Sequence, residues 1–258
     1  MSVARQKIFR IRRDYNSWVA NETLEDYALR YTPRTFRKWS EFRVANTAFG
    51  AVSFLALEAI GGAIALNHGF TNALWAILVV GLITFLTALP ISYYAAKYGV
   101  DIDLLTRGAG FGYKGSTITS LIYASFTFIF FALEAAIMAM ALDLLFDIPL
   151  AWGYLISSVV IIPLVTHGIT FISRFQLWTQ PLWLTLQLLP FMFIIYADAS
   201  AVENWTQYTG NLQSEKPEGV NILLFGAASA VVFSLIAQIG EQVDFLRFMP
   251  EPKPNKHW

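Results

Sequence analysis

Six long runs of apolar residues constrain this chain more than any other feature. The protein has 258 residues, of which 56% are hydrophobic and 14% charged, whereas about a quarter of the residues in an ordinary soluble domain are charged. A membrane-spanning helix needs about 20 mostly apolar residues. The runs lack the alternating polarity of barrel strands, so we predict an all-α polytopic membrane protein. Its six predicted transmembrane helices cover 44–66, 73–96, 117–145, 149–172, 178–197 and 221–243.

The distribution of lysine and arginine predicts how the helices are oriented. Residues 1–43 are polar and basic, and we expect them to lie in the cytoplasm and at the membrane interface. With six spans, every lysine and arginine except Lys216 falls on the same side, and this includes Arg174 in a predicted loop after helix 4. The positive-inside rule then places both termini in the cytoplasm. We predict a membrane domain over 44–246 and a short cytoplasmic loop over 247–258.

Acidic residues at membrane depth are the first candidates for a functional site. Glu58 lies near the middle of helix 1, Glu134 near the middle of helix 3, and Glu241 in helix 6 close to Gln238. Charges are costly in lipid and usually mark a cavity, a pathway or a buried pair. We expect these acids to converge on a polar cavity between helices 1, 3 and 6. The alternative is that each acid is protonated, or hydrogen-bonded to a neighbouring helix, and has no further role.

Glycines suggest where helices 1 and 6 are interrupted. Gly61 and Gly62 follow Glu58, and Gly240 precedes Glu241. Interrupted helices at corresponding positions of two repeats are typical of transporter binding sites. The alternative is that the glycines allow close helix packing.

Other classes of function find little support in the sequence. There is no cysteine, and no phosphate loop, nucleophile–base grouping or metal-ligand spacing is present. The chain carries no catalytic motif and no cofactor motif, so whether the protein is an enzyme stays open. Topology and lipid headgroups account for the basic N-terminal residues, so we expect no nucleic-acid partner.

Several stretches resemble the nucleobase–cation symporters, the family of purine, cytosine, allantoin and hydantoin permeases. Residues 107–115 read RGAGFGYKG and resemble the loop between helices 2 and 3 of that family, while 244–248 read DFLRF and resemble its motif at the end of helix 6. The turn at Asn67, His68 and Gly69 also follows the family pattern. The resemblance covers about residues 40–250 and is carried by Arg107, Gly110, Phe111, Gly112, Gly115, Asp244 and Arg247.

This resemblance implies a LeuT-type fold, in which two inverted five-helix repeats bind a solute at mid-membrane. The six helices would then be the first repeat plus the first helix of the second, so we expect an incomplete portion of a transporter. A small polar or heteroaromatic solute would bind at Glu58, Phe130, Glu134, Phe233 and Gln238, coupled to Na+ or H+. Glu134 stands where the family usually has glutamine. The expected location is a bacterial inner membrane, with the lipid bilayer as the partner.

A narrower resemblance offers a second function. Residues 12–29, RRDYNSWVANETLEDYAL, resemble the start of certain bacterial hybrid sensor histidine kinases, in which a permease-like domain precedes cytoplasmic signalling domains. This resemblance implies a sensory input domain, followed by signalling domains in a full-length protein.

Overall fold

The computed structural model describes residues 29, 31–212 and 219–251, and within these residues helix is the only regular secondary structure. The predicted all-α class is therefore confirmed. Most of the predicted cytoplasmic and interfacial segment, residues 1–28, and the end of the predicted loop beyond residue 251 lie outside the described residues. The helices are α1 Glu41–Val52, α2 Leu55–His68, α3 Phe70–Tyr98, α4 Ile102–Thr106, α5 Gly112–Phe146, α6 Leu150–Thr166, α7 Gly168–Ala197, α8 Ser200–Thr206, α9 Ile222–Phe233 and α10 Gln242–Leu246.

Three stretches of helix are long and apolar enough to cross a membrane on their own: α3, the continuous stretch 102–146 that ends in α5, and α7. Two further spans arise if bent pairs are counted, since α1 and α2 meet at 54°, and α9 meets the segment 236–246 at 43°. The described residues thus hold three to five candidate spans. The remaining predicted helix is α6, which is apolar but has 17 residues, about 26 Å of helix.

The boundary between the fourth and fifth predicted helices was wrong. Helix α6 ends at Thr166, and α7 begins at Gly168 with His167 between them. Arg174 therefore lies inside α7, and the predicted loop around it is absent. Gly168 has φ +75°, a left-handed conformation that suits glycine and ends a helix. The sequence did not predict this boundary, because the turn was expected at the charged residue Arg174.

The helices pack through small side chains and leave most large apolar side chains exposed, as lipid contact requires. Ala73 and Ala76 of α3 form a buried cluster with Ile64 of α2 and Ala228 of α9. This cluster brings the two bent pairs together against α3.

The end of the bundle that carries Arg34, Arg37, Lys38 and Arg43 is called here the basic end. Arg37 is 5% exposed, and its guanidinium joins three parts of the chain. It donates to Met249 O over 2.8 Å and to Ala96 O, and it lies 3.4 Å from the Glu251 carboxylate. The segment before α1 is thereby fixed to the end of α3 and to the residues after α10.

The opposite end is held by the loop that follows α8. The backbone N–H groups of Asn211 and Leu212 donate to Leu66 O and Asn67 O, over 2.9 and 3.2 Å. Gly69 has φ +81°, and a Cβ there would overlap the Thr209 carbonyl. The glycine of the Asn67-His68-Gly69 turn is therefore required by its backbone and by its neighbour.

Candidate functional site

The first bent pair is interrupted at Ser53 and Phe54, which are the residues between α1 and α2. The Ser53 hydroxyl donates to Gly50 O over 2.7 Å and accepts from Gln180 Nε2 of α7 over 2.9 Å. The first bond supplies the Gly50 carbonyl with a donor where the helix is interrupted, and the second ties the hydroxyl to α7. The break lies next to α5 and α7, well inside the first apolar segment.

The expected break at Gly61 and Gly62 differs from the structure. Both residues lie inside the continuous helix α2, and a Cβ at either position would meet nothing within 4 Å. A glycine lowers the cost of a helix break but does not cause one. The break occurs instead where Ser53 binds a carbonyl and Phe54 has an aromatic partner.

Glu134 of α5 points at this break. Its Oε1 accepts a hydrogen bond from the backbone N–H of Ala56 over 2.7 Å. Ala56 is the second residue of α2, so its N–H has no acceptor within the helix. A carboxylate is favoured there because the N-terminus of a helix carries partial positive charge. The structure therefore explains how an acid at this depth is accommodated.

Aromatic rings lie beside the same break. Phe54 stacks on Phe130 with ring centroids 5.3 Å apart, and Phe126 lies 4.5 Å from Phe130. Phe130 precedes Glu134 by four residues, so both occupy one face of α5. The structure thus brings two of the predicted solute-site residues together at the interruption of the first bent pair.

Glu58 does not join this group. It is exposed on α2, and no hydrogen bond or ion pair to it is found among the described residues. The predicted convergence of Glu58 with Glu134 is therefore absent in the described part of the chain.

The second bent pair is interrupted at Ser234 and Leu235, between α9 and the 3-10 segment Ile236–Gly240. Phe233 ends α9 and is exposed. Gly240 closes the 3-10 segment five to six residues beyond the interruption, near Ile102 and Tyr123. The expected break at Gly240 thus coincides with the end of the distorted segment and not with its start.

Two adjoining cavities lie between the bent pairs and α3. One has a volume of about 330 Å³ and the other about 220 Å³, and both are lined by Leu57, Gln238 and Gln242. Glu241 lines the smaller cavity. Gln238 therefore lines both cavities, whereas Phe130 and Glu134 line neither.

The first family motif forms a tight helical turn at the basic end. Residues 107–111 form a kink between α4 and α5, and Gly110 and Gly112 have φ +111° and +62°. These left-handed conformations explain two of the glycines. A Cβ at Gly115 would lie 2.9 Å from the Cβ of Phe111, so a third glycine provides space.

The charged residues of both motifs bind locally. Arg107 Nε donates to the Ser116 hydroxyl over 3.2 Å, and its guanidinium lies 4.9 Å from the Tyr113 ring centroid. Arg247 is 4% exposed; it donates to Asp244 O over 3.0 Å and lies 3.9 Å from the Asp244 carboxylate. These contacts place both motifs away from the Glu134 site.

Sequence reasoning missed Ser53, Phe54, Ala56 and Gln180. Ser53 and Phe54 are ordinary residues of an apolar run, and Ala56 contributes only its backbone. No single-sequence pattern distinguishes them, because their role depends on α5 and α7. A glutamine in a membrane helix, such as Gln180, is the one signal that could have been used.

Comparisons with known proteins identify no family. The chain matches no family model, and no curated protein or solved structure is significantly similar to it.

Among the described residues, no group of three or more histidine or acidic side chains could hold a metal ion.

Proposed function

We propose that this chain belongs to a membrane transporter for a small polar or heteroaromatic solute, which binds where α1 and α2 are interrupted. The observation that carries the proposal is the hydrogen bond of 2.7 Å from the Ala56 backbone to the Glu134 carboxylate. A carboxylate at an interrupted membrane helix, beside stacked phenylalanines, can hold a flat solute between polar and aromatic groups.

The proposal includes the finer features implied by the resemblance to nucleobase–cation symporters. These are a LeuT-type arrangement, coupling to Na+ or H+, a bacterial inner membrane and a cytoplasmic N-terminus. The bent pairs correspond to the first and sixth predicted helices, which would begin the two repeats, and this is consistent with the arrangement. The basic end would then face the cytoplasm.

Glu134 also predicts the chemical class of the solute. An ionised carboxylate only accepts hydrogen bonds, whereas the glutamine usual in the family both accepts and donates. The free Oε2 would therefore favour a ring with adjacent N–H donors, or a cationic ring. Phe130 would contribute stacking, which is tolerant of ring identity.

A binding assay on the purified chain in lipid nanodiscs tests this proposal. We expect at least one compound from a panel of pyrimidines, purines, hydantoins and aminated heterocycles to raise the thermal unfolding midpoint. Glu134→Gln and Phe130→Ala should abolish or redirect that response. Glu203→Gln should preserve it, because Glu203 is an exposed residue of α8. The site assignment is wrong if the Glu134→Gln protein folds and responds like the wild type, or if no compound acts on the wild type.

The sensory function is a second candidate, with signalling domains as partners. Residues 12–28, which carry most of that resemblance, lie outside the described residues. No observation in the structure favours this function over transport.

A further inference from the structure

Glu241 is an acidic side chain inside a predicted span that the Glu134 site leaves unused. It lies between the 3-10 segment and α10, half-buried, and it lines the cavity of about 220 Å³. No lysine or arginine pairs with Glu241 among the described residues. A carboxylate at this depth without a cationic partner marks a functional site by default.

The surroundings of Glu241 show what it can bind. The lining that α1 and α2 contribute is apolar: Ala48, Ala51, Val52 and Leu57. The segment 236–246 contributes Gln238, Gln242 and Phe245. The side chains of this lining supply two amide oxygens and one carboxylate, fewer oxygen ligands than the six or more that surround a hard metal cation.

The charged and titratable neighbours of Glu241 bear on whether it holds a proton. Asp244 lies one helical turn beyond Glu241 and acts on it electrostatically, and Tyr123 of α5 is within range of both carboxylates. Arg247 is engaged with Asp244. The field at Glu241 is therefore that of a second acid, which disfavours two ionised carboxylates together.

We propose that Glu241 is a proton-binding site, separate from the Glu134 site, in the cavity between α1 and α10. The proton binds to a carboxylate oxygen as the neutral acid forms, and it leaves to water. A cavity of about 220 Å³ has room for several water molecules, which a charged carboxylate needs and a neutral acid does not.

The location connects protonation to the packing of the two bent pairs. At the edge of this cavity, α1 and α10 contact each other through apolar side chains, including Val44 and Phe245. Loss of the proton therefore favours water between these helices, and its return favours their close contact. A role as the coupling proton of transport rests on the proposed function, whereas proton binding itself does not.

Infrared difference spectroscopy of the full chain in nanodiscs, titrated with pH in the absence of any solute, tests the proposal. We expect the wild type to show a carbonyl stretch of a protonated carboxylic acid in a poorly hydrated environment. Glu241→Gln should remove that band, while Glu134→Gln and the exposed control Glu203→Gln should retain it. If Glu241→Gln does not fold, Glu241→Asp should keep the band at a shifted frequency.

Two results would overturn the proposal. One is a band that persists unchanged in the folded Glu241→Gln protein. The other is loss of the wild-type band when Na+ is added at constant pH, since this would assign the site to a metal cation. Neither result depends on solute binding, so failure of the transport proposal would be recognised separately.

Discussion

Replacing Arg37 by alanine should destabilise the protein more than any other single change at the basic end. Arg37 is 5% exposed and donates to carbonyl oxygens of Ala96 and Met249, which belong to separate parts of the chain. Burial lowers the pKa of Arg37, and Glu251 raises it in part. The guanidinium nevertheless stays charged, since arginine does not lose its proton in proteins.

The expected magnitude comes from the hydrogen bonds to carbonyls and not from the ion pair. A hydrogen bond to a charged group contributes roughly 1.5–3 kcal/mol, so loss of two such bonds should cost about 3–6 kcal/mol. The side chain of Glu251 is 42% exposed and that of Arg34 is 82% exposed. Pairs of that kind contribute about 0–1 kcal/mol.

The assay is the free energy of unfolding, measured by detergent titration in mixed micelles. Arg37→Ala should lower it by about 3–6 kcal/mol. Glu251→Gln and Arg34→Ala are the matched controls, and each should lower it by less than about 1 kcal/mol. A loss as large for Glu251→Gln as for Arg37→Ala would mean that the ion pair dominates, and the reasoning from the carbonyl contacts would be refuted.

Two further predictions concern backbone geometry and pH. Gly69→Ala and Gly210→Ala should each lower the free energy of unfolding by about 2–4 kcal/mol, because both glycines have positive φ and a Cβ would overlap backbone atoms. The control is Gly81→Ala in an open helical position, which should be neutral or stabilising in the same unfolding assay. Hydrogen bonds from the Ser200 hydroxyl and N–H hold the pKa of Asp198 below its usual range. Their contribution is therefore complete at neutral pH and is lost as the pH falls through the lowered pKa of Asp198. An NMR titration should show that pKa rising in Ser200→Ala, and an unchanged value would contradict the assignment.

The sequence predicted the helices well because hydropathy is a local property. The second, third and sixth predicted segments lie within or over α3, α5 and the second bent pair. The boundary at His167 and Gly168 was missed because an arginine was taken as the mark of a loop. Arg174 instead lies in α7, on the stretch where Ser173 bonds to Arg43 and Thr47 of α1.

The candidate site was harder to predict because it depends on contacts between helices. Glu134 and Phe130 were identified by depth and resemblance, but their partners on the first bent pair were not. A helix can break where other hydrogen bonds take the place of the lost backbone bonds. Here the Ser53 hydroxyl donates to Gly50 O, and Gln180 of α7 donates to that hydroxyl. Glycine content alone pointed several residues away from the break.

Three acids that look equivalent in the sequence have three different surroundings. Glu134 accepts a backbone N–H at the start of α2, Glu241 lines a cavity, and Glu58 is exposed with no hydrogen bond or ion pair among the described residues. A charge at membrane depth is costly for any of them. What distinguishes the three acids is the set of groups that each side chain meets once the helices pack. Function at membrane depth therefore follows from which groups an acid faces, and hydropathy does not record this.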